Sequence, residues 1–154
     1  MLSSDYSGQN CSIARALEAV GERWTLLIIR ELMLRPCRFA GLQRTLGIAK
    51  NVLATRLDKL VQSEIVEKVP YTAARDWNEY RLTSKGRDLF PVISALIAWG
   101  DAYDAPNGPP VVFEHTCGHP AGHQLVCREC GSEVSADTIH AVAGPGLAVR
   151  SVPR

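Results

Sequence analysis

A pair of short helical patterns separated by a tight connection constrains this chain of 154 residues more than any other feature. Residues 38–46 carry apolar side chains at helical spacing, and Gly47 then supplies a residue that typically ends a helix. After only two further residues, the same periodicity resumes over residues 50–63. The sequence therefore predicts two helices joined by a tight turn.

The patterns on both sides of this pair predict the rest of the domain. Two helices are expected before it, over residues 11–20 and 22–34, the second ended by Pro36. Cys37 is interpreted as an ordinary loop residue. After it we expect a strand over residues 65–71, a loop over 72–76 and a second strand over 78–83. A long helix is expected over residues 84–103, and Pro91 should kink or reset it. This order predicts a mainly α (α+β) fold, a winged helix-turn-helix domain.

The helix over residues 50–63 has the two faces that a DNA recognition helix needs. Leucines at 53, 57 and 60 with Val61 form a packing face, and polar side chains lie opposite. Asn51 suits adenine, Thr55 and Val52 suit a thymine methyl group, and Arg56 and Lys59 suit phosphates or guanine. The alternative is an ordinary amphipathic surface helix.

Positive charge is concentrated in the same region, although the whole chain has a net charge of only +1. Residues 35–59 contain six basic residues and one acid, Asp58. Such clustering is typical of phosphate binding, although a solvated helical surface is the alternative. Arg75, at the tip of the predicted hairpin, is a second candidate contact, with an exposed turn as the alternative. The residues expected to contact DNA are Arg38, Lys50, Asn51, Val52, Thr55, Arg56, Lys59 and Arg75.

The long helix over residues 84–103 is apolar nearly all round, which is more than one packing face requires. We expect it to form a homodimer that reads paired half-sites. The alternative is that the first helix or the C-terminal segment covers the apolar surface that the core leaves exposed.

Residues 11–103 resemble the HxlR family of winged-helix regulators, which are relatives of the MarR group. The resemblance depends on Cys11, the block from Gly21 to Ile28, Arg38-Phe39, Leu42, Leu53, Arg56-Leu57, Leu60, Glu79-Tyr80, Leu82-Thr83, Lys85-Gly86, Pro91 and Trp99-Gly100. It implies homodimers that bind palindromic operators. The contacts between the two subunits are expected to come from the first and last helices. It also implies, in some members, a sensing role for Cys11 through thiol oxidation or electrophile adduction, against the alternative of a buried structural cysteine. Glu64 departs from the family, which usually has glycine there for a left-handed backbone.

A Cys/His-rich segment follows the winged domain. We predict a DNA-binding and dimerisation domain over residues 1–104, a linker over 105–112, a small appendage over 113–140 and a disordered tail over 141–154. In the appendage, Cys127 and Cys130 precede Gly131 at the spacing of a zinc knuckle, and Cys117 supplies a third thiol. The fourth ligand would be His115, His119 or His123. A metal-free hairpin and a Cys127/Cys130 redox switch are the alternatives to this zinc-ribbon-like site.

These patterns favour a cytoplasmic, sequence-specific transcriptional regulator that binds double-stranded DNA, a repressor responsive to a thiol-reactive or other small signal. No secretory signal or membrane span is predicted. The alternative function is a metal-binding module for protein–protein interaction. An enzyme is not expected, because the sequence has no Ser/His/Asp set, no paired carboxylates on one helix and no Gly-rich phosphate loop.

Overall fold

The computed structural model describes Tyr6 and residues 9–72 and 75–146, with the side chains of residues 71–77 outside that description. The chain divides into two compact units, Met1–Ala105 and Pro106–Arg154. No helix among the described residues is long and apolar enough to cross a membrane.

The N-terminal unit combines helices with one small antiparallel sheet, whose strands lie in the order β1-β3-β2. The elements are α1 (Ser12–Val20), α2 (Thr25–Leu34), β1 (Cys37–Arg38), α3 (Phe39–Leu46), α4 (Lys50–Gln62), β2 (Val66–Thr72), β3 (Arg75–Leu82), α5 (Ser84–Arg87) and α6 (Phe90–Tyr103). The pair α3–α4 followed by the β2–β3 hairpin confirms the predicted winged helix-turn-helix fold.

Two local expectations before the helix pair were wrong. Helix α2 begins at Thr25 rather than residue 22, because Trp24 has a φ of 78° and interrupts helical geometry there. Cys37 is not a loop residue, since it pairs with Tyr80 across β1 and β3. A two-residue strand carries too little periodicity to be detected in the sequence.

The elements after the helix pair also differ in detail from the prediction. The hairpin is more extended than expected, because Thr72 already pairs with Arg75. The long helix is reset as predicted, with α5 ending at Arg87 and Pro91 in the first turn of α6. Val61, expected in the packing face, is exposed.

The core is formed mainly by α2, α4 and the strands around them. Leu53, Leu57 and Leu60 of α4 are fully buried, so the predicted leucine stripe is its packing face. Gly47 ends α3 with a φ of 63°, a conformation that glycine adopts without steric cost. This turn fixes the start of α4 relative to α3.

The segment between α4 and β2 is held by a set of close contacts. Glu64 adopts a φ of 58°, so the left-handed backbone expected at this position is present although the residue is not glycine. The Thr83 hydroxyl donates to the Glu64 carbonyl at 2.6 Å and accepts from the Gly86 amide at 3.1 Å. A Cβ on Gly86 would lie 2.2 Å from the Ile65 carbonyl oxygen, so only glycine fits there without a shift.

The C-terminal unit has little regular structure. Its backbone pairs in two isolated antiparallel bridges, Glu114 with Pro120 and Val126 with Glu133. The predicted boundaries of linker, appendage and tail remain predictions, and residues 147–154 of the expected tail lie outside the described residues.

Candidate nucleic-acid interface

The beginning of α4 presents an exposed polar surface opposite the buried leucines. Lys50, Asn51 and Thr55 are all exposed, and Val52 is half-buried beside them. The Thr55 hydroxyl donates to the Asn51 carbonyl at 3.0 Å. The amide of Asn51 and the ammonium of Lys50 are therefore carried on a helix whose other face is fixed in the core.

Farther along α4, Arg56 and Lys59 are engaged within the protein. Both form ion pairs with Glu22, in the turn before α2. Arg56 also donates from Nε to the Arg23 carbonyl at 3.2 Å, and its side chain is only 18% exposed. Arg56 therefore joins α4 to the turn before α2, whereas the Lys59 side chain is 53% exposed.

Glu22 is the residue of this region that the sequence analysis missed. The hydrogen bond from Lys59 is the largest cause of a pKa for Glu22 below its ordinary value, with the charges of Arg56 and Lys59 adding to it and desolvation opposing it. No helical or strand spacing connects Glu22 with residues 56 and 59, so periodicity offers no signal for this contact.

The other predicted contacts lie around the helix pair. Arg38 is exposed, pairs with Glu79 through the backbone and directly precedes α3. Arg44, in the last turn of α3, is a further exposed cation. Arg75 begins β3, but its side chain lies outside the described part of the structure.

Cys11 and Cys37 occupy contrasting environments. Cys11 is exposed at the N-cap of α1, where the backbone amides of Ala14 and then Ile13 lower its pKa, with a smaller effect of Arg15 and an opposing effect of desolvation. Burial raises the pKa of the Cys37 thiol. In this single chain, Cys11 is thus an accessible thiol with increased thiolate character rather than a buried one.

The Cys/His residues of the C-terminal unit form local contacts. The Nδ1 atom of His115 lies 3.2 Å from Sγ of Cys117, and Nδ1 of His119 lies 3.2 Å from the Cys117 carbonyl oxygen. Hydrogen bonds with Ser132, followed by one with Cys127, lower the pKa of Cys130. Within the described residues, no three His, Cys, Asp or Glu side chains come close enough together to hold a metal ion.

Comparisons with known proteins agree with this architecture. An HTH-type transcriptional regulator of Mycobacterium tuberculosis, itself uncharacterized, is 46% identical over 148 residues, which cover 95% of this chain and 92% of that protein. The crystal structure of PA1607, a provisionally assigned transcription factor, superposes with a TM-score of 0.79 at 36% identity, covering 88% of this chain and 96% of that one.

A transcriptional regulator solved in its reduced form also matches this chain. The reduced form of the transcriptional regulator YodB from Bacillus subtilis has a TM-score of 0.55 and 36% identity, covering 64% of this chain and 99% of YodB. The family model described as HxlR-like helix-turn-helix matches residues 19–107, more than half of the chain. The chain therefore belongs to the HxlR-like helix-turn-helix family, as the residues of its winged domain predict.

Proposed function

We propose that this chain is a repressor that binds a palindromic operator as a homodimer and responds to a thiol-reactive signal. Membership of the HxlR-like family makes it a transcriptional regulator with a helix-turn-helix DNA-binding domain. The main observation that supports this proposal is that α4 begins with exposed polar side chains, while its leucines on the other face are fully buried.

The residues proposed to contact DNA differ in how far their side chains are already engaged within the protein. Lys50, Asn51 and Thr55 are exposed and suit base edges and phosphates, with Val52 beside them for a thymine methyl group. Arg56 positions α4 through Glu22 and the Arg23 carbonyl, and its contribution to DNA binding is mainly to orientation. Lys59 shares Glu22 but is more exposed, so it reaches a phosphate more readily. Arg38 and Arg75 are proposed to contact the backbone on either side of α4.

The dimer is supported by apolar surface that the single chain leaves exposed. Val92, Leu96, Trp99 and Tyr103 recur every three or four residues on one face of α6 and are 47–76% exposed. Ile13 and Leu17 of α1 are exposed as well, at 71% and 39%. Exposed apolar side chains grouped on a helix face are typical of an interaction site, and a two-fold dimer would cover them.

The signal is proposed to act at Cys11. Its thiol is exposed and its pKa is lowered, which favours the reactive thiolate. YodB, which resembles this chain, has been solved in reduced and diamide-treated forms. An adduct or disulfide at Cys11 would alter α1, one of the two helices assigned to the dimer.

The central test is binding of the purified protein to duplex DNA from upstream of its own gene. Fluorescence anisotropy should give tighter binding to this DNA than to a shuffled duplex, with an affinity that falls steeply with salt. Lys50→Ala should weaken binding by removing a cation at the start of α4. Asn51→Ala should mainly reduce the preference for the specific sequence, by about 1–3 kcal/mol if it contacts a base.

Lys85→Ala provides a matched charge control. Its ammonium donates to the Ser63 carbonyl at 2.7 Å, at the opposite end of α4 from Lys50. This variant should bind DNA almost as the wild type does. Equal affinity for the upstream and shuffled duplexes, or equal losses in the Lys50→Ala and Lys85→Ala variants, would contradict the proposed interface.

A further inference from the structure

The three cations of α4 differ in whether the protein already neutralises them. Lys50, at the start of the helix, is exposed and forms no ion pair within the part of the chain that the structure describes. Arg56 and Lys59 both pair with the carboxylate of Glu22, whose side chain is 39% exposed. One acid from the turn before α2 therefore neutralises two cations of the helix.

Lys59 lies on the face of α4 that is proposed to contact DNA. It follows Asn51 and Thr55 at intervals of four residues, so the three side chains lie along one stripe of the helix. All three are exposed. A phosphate that approaches this stripe near its C-terminal end therefore meets the Lys59 ammonium while Glu22 is bound to it.

Arg56 has a second anchor that Lys59 lacks. Its Nε atom donates to the Arg23 carbonyl at 3.2 Å, in addition to the ion pair with Glu22. Among the described residues, the partner of the Lys59 ammonium is Glu22. Removing the charge of Glu22 therefore releases Lys59, whereas Arg56 stays attached to the turn before α2.

A phosphate can bind Lys59 only by displacing Glu22. A lysine that is free before binding releases one DNA counterion when it neutralises a phosphate, which steepens the fall of log K with log salt by about 0.9. When Lys59 leaves Glu22 for a phosphate, the carboxylate gathers a cation from solution in its place, so the net release of ions is close to zero. Breaking an exposed ion pair also lowers the binding constant by up to about fivefold.

We propose that Glu22 competes with DNA phosphate for Lys59 and thereby restrains the sequence-independent part of the affinity for DNA. This inference rests on the proposed function, because it requires the exposed face of α4 to contact DNA. Phosphate contacts carry no sequence information, so the restraint applies equally to the operator and to any other duplex. It weakens binding to non-specific DNA without changing the preference for the operator.

The test compares Glu22→Gln with the wild type by fluorescence anisotropy, on the upstream and the shuffled duplex over a series of salt concentrations. The variant should bind both duplexes about two- to fivefold more tightly, with a salt slope steeper by about 0.9. The ratio of the two affinities should not change. Glu31→Gln is the matched control and should behave as the wild type, because Glu31 pairs with Arg30 and with no residue of α4.

Lys59→Ala examines the same competition from the other partner. In the wild-type background it should cost less affinity for the shuffled duplex than Lys50→Ala, because Glu22 already holds Lys59. Combined with Glu22→Gln, it should reverse both the gain in affinity and the steeper salt slope. This double-mutant cycle isolates the coupling between Glu22 and Lys59.

Three results would overturn the inference. An unchanged salt slope in a folded Glu22→Gln variant is the first, and a loss of affinity for the upstream duplex alone, which would show that Glu22 only orients α4, is the second. Equal losses in Lys59→Ala and Lys50→Ala are the third, and they count even if Glu22→Gln fails to fold. A wild type that does not prefer the upstream duplex refutes the proposed function instead, whereas binding to the shuffled duplex still tests the role of Glu22.

Discussion

Gly86 shows how a single residue fixes the junction between the wing and the C-terminal helices. It is buried in α5, and a Cβ there would meet the Ile65 carbonyl oxygen at 2.2 Å. Because a backbone carbonyl cannot rotate away as a side chain does, Gly86→Ala should lower the free energy of unfolding by about 1–3 kcal/mol. Chemical denaturation of the purified variant measures this change.

Gly41 is the matched control, because it lies inside α3 and an added Cβ would meet no atom within 4 Å apart from its chain neighbours and the helix's own backbone. Gly41→Ala should leave stability unchanged or raise it by up to about 1 kcal/mol, the preference of a helix interior for alanine. If Gly86→Ala were as stable as Gly41→Ala, the close approach to Ile65 would not constrain this junction.

Glu22 gives the molecule a pH dependence that can be isolated by substitution. Its pKa is lowered in the folded state, mainly by the hydrogen bond from Lys59. The stabilisation is therefore complete above the ordinary pKa of glutamate and is lost as pH falls through the lowered folded value. Glu22→Gln should be less stable than the wild type at neutral pH, and the difference should shrink on acidification.

Denaturant unfolding of both proteins over a series of pH values checks this dependence. A difference that stays constant from neutral to acidic pH would show that Glu22 contributes through packing and not through its charge.

At the scale of elements, the backbone is strained just after the end of α4. Glu64 has a φ of 58°, which costs an L-residue roughly 1–2 kcal/mol, whereas glycine adopts it freely but loses more chain entropy on folding. Glu64→Gly should therefore raise the free energy of unfolding by about 0.5–1 kcal/mol in equilibrium denaturation.

Ser63 is the control for this prediction because it has an ordinary φ of −82° one residue earlier. Ser63→Gly should destabilise by about 0.5–1 kcal/mol, since glycine there gains no conformational advantage. A loss of stability in both variants would show that the Glu64 side chain contributes more than its backbone strain costs.

The elements also show what the sequence could predict. Leucine spacing in α4 and the position of Gly47 determined the helix pair, because burial and helix termination both leave local patterns. The two-residue strand at Cys37 and the Glu22 pairs with α4 left no local pattern, because each depends on residues distant in sequence. The left-handed conformation of Trp24 left none either, because tryptophan is not a residue type that typically adopts it. The polar face of α4 was predicted, whereas the internal engagement of Arg56 was not.

At the scale of the whole molecule, the two apolar sides of α6 lie in different surroundings. Leu89, Ile93 and Ile97 face the core, four residues apart, and Ile93 is buried. Val92, Leu96, Trp99 and Tyr103 lie on another face, where the rings of Trp99 and Tyr103 contact each other with centroids 5.3 Å apart. The periodicity of the sequence could not separate these faces, because apolar residues occupy both.

The exposed face of α6 leads to a prediction about assembly. Trp99→Glu places a charge in the centre of the proposed dimer contact, where its desolvation is unfavourable, so the protein should become monomeric in light scattering. Ala98→Glu puts the same charge on a different side of the same helix and should remain dimeric. The monomer should bind a single half-site as the wild type does but lose the additional affinity for the paired sites. A Trp99→Glu variant that stays dimeric, or that binds paired sites with full affinity, would place the dimer contact on another surface.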